Sequence, residues 1–395
     1  MSRPPQRPGA QERSAEATPE LRVRIAGIVG PLSGTITGLG RHAPAALASR
    51  EALDRLDRSC RDVPAALTHG VYLECRLSAE ERVDLVIQVD ERGRAILADI
   101  NPAIRLPRRL RDHSHWEQVR RLCARWEEPA SPLSACIRGV WLEFDAVETG
   151  GEAAVPLPGV FVKLEPSAPA GPGHGLEDVL AALPGVSPDP VRARAIRRCA
   201  DQLPPGAYVS YLGSFAPRGT DAVRVCLVGI GEDALPGYLA RVGWPGDPRA
   251  LEDILRTVGT ADGRRLHPGP GMLHLDVGGD AVQPRVGLEY VLERGGQIRG
   301  RLHETGFLDR LVELGLCTAA KRDGLPAWPG YSFEDFAHEL WPSLVKRRVN
   351  HVKLVYEEGR ALQAKAYLCA FSGFYPRRTL QPAEEHHGRE AAAAV

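Results

Sequence analysis

The feature that most constrains the fold of this sequence is a recurring pair of strand-like segments. In each segment apolar and polar residues alternate, which is typical of a β-strand with one buried face. The pairs begin near positions 71, 139, 207, 272 and 351 of the 395 residues, in steps of 68, 68, 65 and 79. The predicted strands are Val71–Leu77 and Val83–Val89, Gly139–Asp145 and Gly159–Glu165, Ala207–Phe215 and Ala222–Ile230, Met272–Val277 and Arg285–Leu292, and His351–Tyr356 and Gln363–Phe371, with a possible further strand at Ala95–Ile100.

The residues between the strands predict hairpins and helices. Arg218-Gly219, Gly278-Gly279 and Glu358-Gly359 are suitable turn residues, so the two strands of those pairs are expected to be antiparallel neighbours. The longer segments between pairs have helical periodicity, about two helices for each pair. The predicted helices are Ala45–Ala66, Trp116–Trp126, Leu176–Ala182, Pro190–Gln202, Leu235–Arg241, Arg249–Val258, Gly306–Leu316 and Phe333–Val345.

This order of elements predicts an α+β fold made of five repeated α-β-β-α units. Ten antiparallel strands leave no exposed edge if they close into a β-barrel with the helices outside, and we expect that barrel in residues 21–377. Two separate α+β domains are the alternative. Residues 1–20 and 378–395 are expected to be a disordered leader and tail. Gly27–Gly40 lacks both GxGxxG and GK[ST], so a flexible entry segment is expected there rather than a phosphate loop.

Composition narrows the functional classes. The 50 Lys and Arg residues are balanced by 50 Asp and Glu residues, which argues against a nucleic-acid-binding protein. The sequence has no apolar run of membrane-spanning length and no secretory signal at its start, so neither a membrane nor export is expected. Eight scattered cysteines without a CxxC pair fit a reduced, cytoplasmic protein. The Arg-, Ala- and Gly-rich composition suggests bacterial specialised metabolism.

The alternation also predicts what the barrel would contain. If the apolar strand faces pack against helices, the polar faces must meet inside and form a polar central cavity. Half-exposed strands with a wet outer face are the alternative. The cations expected on the inner faces are Arg76, Lys163, Arg224, Arg285, Lys353 and Lys365, and the expected anions are Glu74, Glu143, Asp276 and Glu289.

Charged groups in such an enclosed space must either pair with each other or bind a ligand. Six cations on separate strands are suited to a diphosphate. The ring faces of Tyr72, Trp141, Tyr208 and Tyr367 can shield a carbocation, and Glu74 can accept a proton from an aromatic acceptor. Aromatic residues make up only 6% of the chain, which predicts sparse shielding. An internal Arg–Glu pair is the alternative for each charge.

Motifs for metal-dependent and nucleophilic chemistry are absent from the sequence. His274-x-Asp276 and His351-x-Lys353 have strand-like spacing, but neither has an identifiable third ligand, so no metal site is predicted. There is no GxSxG motif and no DDxxD-type acidic cluster. We therefore expect no required cofactor, with Mg²⁺ as a possible one.

The repeated α-β-β-α units with inward Arg and Lys resemble the ABBA-type aromatic prenyltransferases, in which Lys-x-Tyr recurs on strands. Lys365-Ala366-Tyr367 fits that pattern, and Arg224-Val225-Cys226 lies in a similar place with Cys instead of Tyr. The resemblance covers Leu21–Pro376. It implies a ten-stranded barrel that transfers an allylic isoprenoid from its diphosphate to an aromatic small molecule or an indole.

The resemblance implies roles for the inward residues. The catalytic candidates are Glu74, Asp276 and Glu289. The substrate-binding candidates are Arg76, Lys163, Arg224, Arg285, Lys353, Lys365, Tyr72, Trp141, Tyr367 and His274. Two alternatives remain open. One is acid–base cyclisation or isomerisation in the same barrel by Glu143, Asp276, His274 or Glu289, and the other is a non-catalytic binding protein with a self-paired lumen.

Overall fold

The computed structural model describes residues 30–146, 155–166, 175–292, 306–336 and 342–374, so the predicted leader and tail lie outside the described residues. The described strands are β1 (Thr68–Arg76), β2 (Val83–Val89), β3 (Ile137–Phe144), β4 (Gly159–Leu164), β5 (Tyr208–Ser214), β6 (Val223–Val228), β7 (Thr260–Ala261), β8 (Arg264–Arg265), β9 (Met272–Gly278), β10 (Ala281–Val291), β11 (Gly330–Glu334), β12 (Ser343–Tyr356) and β13 (Gln363–Phe374).

Ten of these strands form a closed antiparallel barrel. Neighbours follow the order β10-β9-β6-β5-β4-β3-β2-β1-β13-β12, and β10 pairs with β12 to close the ring. The predicted α+β fold with a ten-stranded antiparallel barrel is therefore confirmed. Strand β11 pairs with the first residues of β12 outside this ring, and β7 and β8 form a separate two-stranded hairpin.

Helices cover the outside of the barrel. They are α1 (Ser33–Gly40), α2 (Arg50–Ser59), α3 (Glu91–Leu97), α4 (Arg108–Arg111), α5 (Ser114–Glu127), α6 (Pro132–Cys136), α7 (Leu176–Ala182), α8 (Pro190–Asp201), α9 (Leu235–Val242), α10 (Pro248–Gly259), α11 (Phe307–Glu313) and α12 (Ala319–Gly324). Trp116 of α5, for example, stacks on the outward Phe144 of β3 with ring centroids 6.4 Å apart. The outward strand residues Val140 and Leu142 are fully buried beneath this layer. The predicted outward apolar face is therefore present.

Two secondary-structure predictions were wrong. Ala95–Ile100 is not a strand, because Asp90 caps α3 by accepting a hydrogen bond from the Gly93 N–H and the helix continues to Leu97. The predicted helix Phe333–Val345 is absent at both ends, which belong to β11 and β12, and Pro342 is incompatible with a helix interior; residues 337–341 lie outside the described residues.

The segment Gly27–Gly40 also differs from the expectation of a flexible entry. Its residues from Ser33 onward form α1, which is held to the barrel by the buried side chains of Ile36 and Leu39. The predicted helix Ala45–Ala66 is shorter and is limited to α2. Ser49 caps α2 by accepting from the Ala52 N–H.

Bulges recur at one end of the barrel. In β1, β3 and β5 the register shifts near the start of the strand, between Thr68 and Gly70, Ile137 and Gly139, and Val209 and Tyr211. In β12 it shifts in the middle of the strand, between Val349 and His351, where the pairing with β10 starts. A bulge bends its strand and increases the local twist. We call this end of the barrel the mouth.

Across the described part of the chain, no helix has the length and apolar character needed to cross a membrane.

Candidate active site

The lumen contains two cavities that follow each other along the barrel axis. The cavity near the mouth has a volume of about 260 Å³ and is lined largely by aromatic side chains, so we call this part the aromatic end. The other has about 30 Å³ and is lined by charged side chains, and we call it the charged end. Glu143, His274, Lys353 and Tyr367 line both cavities and form their boundary.

Five aromatic rings line the aromatic end. They come from separate strands and are Tyr72, Trp141, Phe161, Tyr211 and Tyr367. The rings of Trp141 and Tyr211 meet edge to face at 5.3 Å. The chain has only 6 Trp, 9 Tyr and 8 Phe, so the expectation of sparse shielding differs from the structure, which concentrates the rings in one cavity. Phe161 and Tyr211 were absent from the predicted site. Phe161 has the same strand parity as Lys163 and could have been identified from it, whereas the register shift between Val209 and Tyr211 gives Tyr211 the opposite parity to the predicted Tyr208.

Inward-facing glycines leave room for these rings. A Cβ atom on Gly139 would lie 2.6 Å from the Trp141 ring, and one on Gly213 would lie 2.7 Å from the Phe161 ring. Glycine in a strand interior commonly marks such a close approach. The aromatic cavity therefore depends on small residues as much as on large ones.

Lys163 does not line either of the two cavities and lies beside the aromatic rings. Its Nζ atom is 6.0 Å from the Trp141 ring centroid and 5.9 Å from that of Tyr211, within cation–π range. Arg76 and Tyr208 also line neither cavity. The structure thus separates Lys163 from the other predicted cations.

Arg224 and Asp276 form a bidentate ion pair at the charged end. Their N–O distances are 2.7 Å and 2.9 Å, because the two residues are direct partners across β6 and β9. Burial alone would raise the pKa of Asp276, but the Arg224 guanidinium outweighs it and the pKa is lowered. Asp276 is thus an ionised partner of Arg224.

Glu74 is saturated by its neighbours. Its Oε1 accepts from Lys365 Nζ at 2.6 Å and from Arg76 at 3.3 Å, while its Oε2 accepts from the Tyr367 hydroxyl. Burial would raise the pKa of Glu74, but Arg76 and Tyr367 outweigh burial and lower it. Because both oxygens are engaged, the predicted role of Glu74 in holding an acceptor requires Glu74 to give up one of these partners.

Arg218 is a lumen residue that the sequence analysis missed. It belongs to the turn between β5 and β6, and its side chain folds back to bind Glu143 and Asp145, the latter at 2.7 Å and 2.8 Å. Its guanidinium lies 4.2 Å from the Phe215 ring centroid. The Arg218-Gly219 dipeptide predicted a turn. Alternation within the strands cannot predict that the side chain of a turn residue reaches into the barrel.

Arg285 is the least compensated cation of the charged end. Within the described residues it has no carboxylate oxygen within 4.0 Å. Burial lowers the pKa of Arg285, and the nearby Arg224 lowers it further. Such a cation provides an attractive position for an anionic ligand.

A carboxylate, two imidazoles and a lysine meet at the boundary of the cavities. His274 Nε2 lies 2.7 Å from Glu289 Oε1, and His351 Nε2 lies 3.4 Å from the same oxygen. Lys353 Nζ lies 3.0 Å from His274 Nδ1. Because an ammonium can only donate, Nδ1 is the acceptor, and His274 carries its proton on the Nε2 that faces Glu289.

The protonation states follow from burial and charge. Burial lowers the pKa of His274 to about 4, with a further contribution from Lys353, so the imidazole is neutral near pH 7. Burial alone would raise the pKa of Glu289, but His351, His274 and Lys353 together hold it well below its ordinary value. Burial and Arg224 lower the pKa of Lys353. Glu289 is thus a carboxylate that faces the aromatic cavity.

Among the residues that the structure describes, no group of three or more His, Cys, Asp or Glu side chains is placed to hold a metal ion. The acids of the charged end are engaged with cations, as in the Arg224–Asp276 and Lys365–Glu74 pairs.

Comparisons with known proteins give structural matches only. No protein-family model matches the chain, and no curated protein matches it. The chain is similar to a crystal structure of the prenyltransferase PriB in its apo form, with 19% identity over 88% of this chain and 96% of that one and a TM-score of 0.47. It is also similar to the PriB binary complex with product diphosphate, with 18% identity, the same coverage and a TM-score of 0.45.

The described strands and helices confirm the architecture that the sequence resemblance implied. A closed ten-stranded antiparallel barrel with its helices outside and its charged strand faces inside is the architecture of the ABBA-type aromatic prenyltransferases.

Proposed function

We propose that the protein transfers an allylic isoprenoid from its diphosphate to an aromatic small molecule or an indole. One observation carries this proposal: a cavity walled by five aromatic rings opens directly onto a cationic region of the same lumen. Ring faces stabilise a carbocation, and cations stabilise the diphosphate that leaves it. The two requirements of the reaction are met side by side.

The diphosphate lies at the boundary between the two cavities. The charged cavity, at about 30 Å³, holds roughly one water molecule and is too small for a diphosphate. Lys353 lines both cavities, and Arg285 supplies the least compensated charge beside it. Arg224 strengthens the site when it exchanges Asp276 for phosphate oxygens.

The isoprenoid chain and the acceptor occupy the aromatic cavity. The allylic C–O bond breaks, its electron pair leaves with the diphosphate, and the acceptor ring attacks the allylic cation to form a C–C bond. The ring then loses a proton, which regenerates its aromaticity. Glu289 takes the role first assigned to Glu74 and accepts this proton or a hydrogen bond from the acceptor, because it faces the cavity whereas Glu74 is saturated.

The test is to incubate the protein with dimethylallyl or geranyl diphosphate and a panel of indoles and phenols. Diphosphate release and prenylated product would be measured, and diphosphate binding would be followed by calorimetry. We expect Arg285→Met and Lys353→Met each to weaken binding by about tenfold or more, and the exposed control Arg360→Met to leave it unchanged. Absence of both turnover and diphosphate binding would overturn the proposal.

A second candidate function is acid–base cyclisation or isomerisation. It is favoured by the Glu289–His274–His351 cluster inside the aromatic cavity, together with the acids that already neutralise most lumen cations. Of the acids first considered, Asp276 is held by Arg224, so Glu289 is the better base. Turnover without diphosphate affinity, with a pH profile abolished by Glu289→Gln, would select this function.

A non-catalytic binding protein was the third possibility, and it predicts a filled barrel centre with no pocket. The aromatic cavity of about 260 Å³ favours an enzyme or a ligand-binding site over a fully self-paired lumen.

A further inference from the structure

The lumen-side face of the barrel continues beyond the mouth on a small flap. The pairing of β12 with β10 starts at His351, but β12 itself starts eight residues earlier and so extends beyond β10. This extension pairs with β11 on one side and with the end of β13 on the other. We define the flap as residues 330–334, 343–348 and 369–373. It extends one wall of the mouth outward.

Strand register shows which flap residues share the lumen-side face. Tyr331, Lys346 and Phe371 form one cross-strand row, and Phe333 and Leu344 belong to the next row outward. Direct partners on antiparallel strands point to the same side of a sheet. The rows therefore form one continuous face.

This face is joined to the aromatic cavity by direct contacts. Phe371 meets the cavity residue Tyr72 edge to face at 5.6 Å. The Arg348 guanidinium lies 5.6 Å from the Phe371 ring centroid, and Lys346 Nζ lies 6.0 Å from that of Tyr331. Aromatic rings and cations thus alternate from the mouth outward, and the exposed acid Asp335 follows only after the end of β11.

Exposed apolar side chains concentrate at this part of the molecule. Tyr331 and Phe333 are each 56% exposed, and Val291 at the rim of the aromatic cavity is 42% exposed. They account for three of the five large apolar side chains that are exposed among the described residues. A contiguous exposed apolar face next to a cavity usually marks a binding site.

We propose that the flap binds the distal part of the acceptor while the reacting ring of that acceptor occupies the aromatic cavity. Four strand residues separate the row of Tyr72 from the row of Phe333, a distance of about 14 Å. The acceptor is then an elongated molecule with a second flat apolar portion, which packs on Tyr331 and Phe333. An anionic group on that portion pairs with Lys346. The identity of this ligand as the acceptor rests on the proposed function, whereas the binding face itself does not.

The test uses two fluorescent probes of the same ring system. Anilinonaphthalene sulfonate carries an anionic group and phenylnaphthylamine lacks it, so the pair separates charge recognition from apolar contact. We expect the protein to bind the sulfonate about tenfold more tightly, and Lys346→Met to remove most of that difference. The double variant Tyr331→Ser/Phe333→Ser should weaken both probes about fivefold or more, whereas the exposed control Ile100→Ser should change neither.

Equal affinities for the two probes, or unchanged dissociation constants in the double variant, would overturn the inference. Two further measurements address other occupants of the flap. Adsorption to vesicles of phosphatidylcholine and phosphatidylserine that the double variant abolishes would assign the flap to a lipid surface, and a dimer that it dissociates would assign the flap to a second copy. Diphosphate turnover tests the proposed function separately, since neither result determines the other.

Discussion

The two ends of the lumen are made by the same ten strands, yet one is nearly filled and the other is open. At the charged end, long side chains pair across neighbouring strands, as in Arg224–Asp276 and Lys365–Glu74, and their contacts use up the space. At the aromatic end, Gly139 and Gly213 leave room for the Trp141 and Phe161 rings to lie close to the strand backbone, so that these rings line the cavity without filling it. A polar lumen can therefore close itself by charge pairing, while an open cavity needs inward residues that have no side chain.

The largest expected effect is on the charge pairing. Glu74→Leu leaves buried Lys365 without its carboxylate partner, which should cost about 3–5 kcal/mol in the free energy of unfolding measured with urea. Half-buried Arg76 loses one partner as well but keeps Glu80 and Asp84 within 4.0 Å. The matched control Asp253→Leu breaks the exposed pair with Arg256 and should cost less than about 1 kcal/mol. Equal losses in the two variants would show that the charged end does not depend on pairing.

The second prediction concerns pH and compares His274, at the boundary of the cavities, with Asp84, the direct partner of Glu74 on β2. Between pH 4 and 6.5, buried neutral His274 binds fewer protons in the folded than in the unfolded state, so it makes stability rise with pH. Burial and Glu74 raise the pKa of Asp84 above its ordinary 3.8, so just above that pH Asp84 makes stability fall as pH rises.

Urea unfolding at several pH values would measure both contributions. The stability lost in His274→Gln should grow from pH 4 to 6.5, by up to about 3 kcal/mol because one pKa unit is worth about 1.4 kcal/mol. The stability lost in Asp84→Asn should shrink as pH rises from 3.8. Losses that do not vary with pH would contradict the assigned protonation states.

The third prediction fills the space at the aromatic end. A methyl group on Gly213 would lie 2.7 Å from the Phe161 ring, so Gly213→Ala should cost about 1–3 kcal/mol and reduce binding of an isoprenoid ammonium, a mimic of the allylic cation. At the mouth, Gly271→Ala meets its nearest neighbour, Val291, at an ordinary 3.5 Å and should be close to neutral. Similar losses in both variants would argue that strand backbone preferences, not the ring, cause the effect.

The smallest effect concerns a single ring face. Trp141→Leu should weaken binding of the isoprenoid ammonium about twofold to thirtyfold, as measured by calorimetry, because cation–π contacts contribute about 0.5–2 kcal/mol. Diphosphate binding should be unaffected. Trp126→Leu removes a tryptophan from α5, outside the barrel, and serves as the control. Equal weakening by the two substitutions would indicate a general loss of structure.

The barrel was predictable because its signal is local. Strand β2 was predicted at its observed bounds, Val83–Val89, since alternation with period two identifies a strand and its two faces without knowledge of its partners. The same parity placed Glu74, Lys353 and Tyr367 inside the barrel, where the structure has them.

What the sequence did not reveal depends on contacts between strands. The Arg224–Asp276 pair follows from the register of β6 against β9, and alternation within one strand cannot fix that register. Arg218 acts from a turn. Strand β11 is only five residues long, and its last two residues, Phe333 and Glu334, fall in the segment predicted as a helix. The roles of the predicted site residues stay predictions, which the binding and turnover measurements described above would test.

Arg218 and its carboxylate partners occupy the charged end, and the larger cavity lies toward the mouth. For the proposed reaction we therefore expect both ligands to enter the lumen at the mouth, one after the other. The ligand that lies deeper has to enter first and leave last. For the proposed reaction, the diphosphate product therefore stays until the prenylated product has gone, and it competes with the donor but not with the acceptor. The rate of turnover would then be limited by the release of diphosphate.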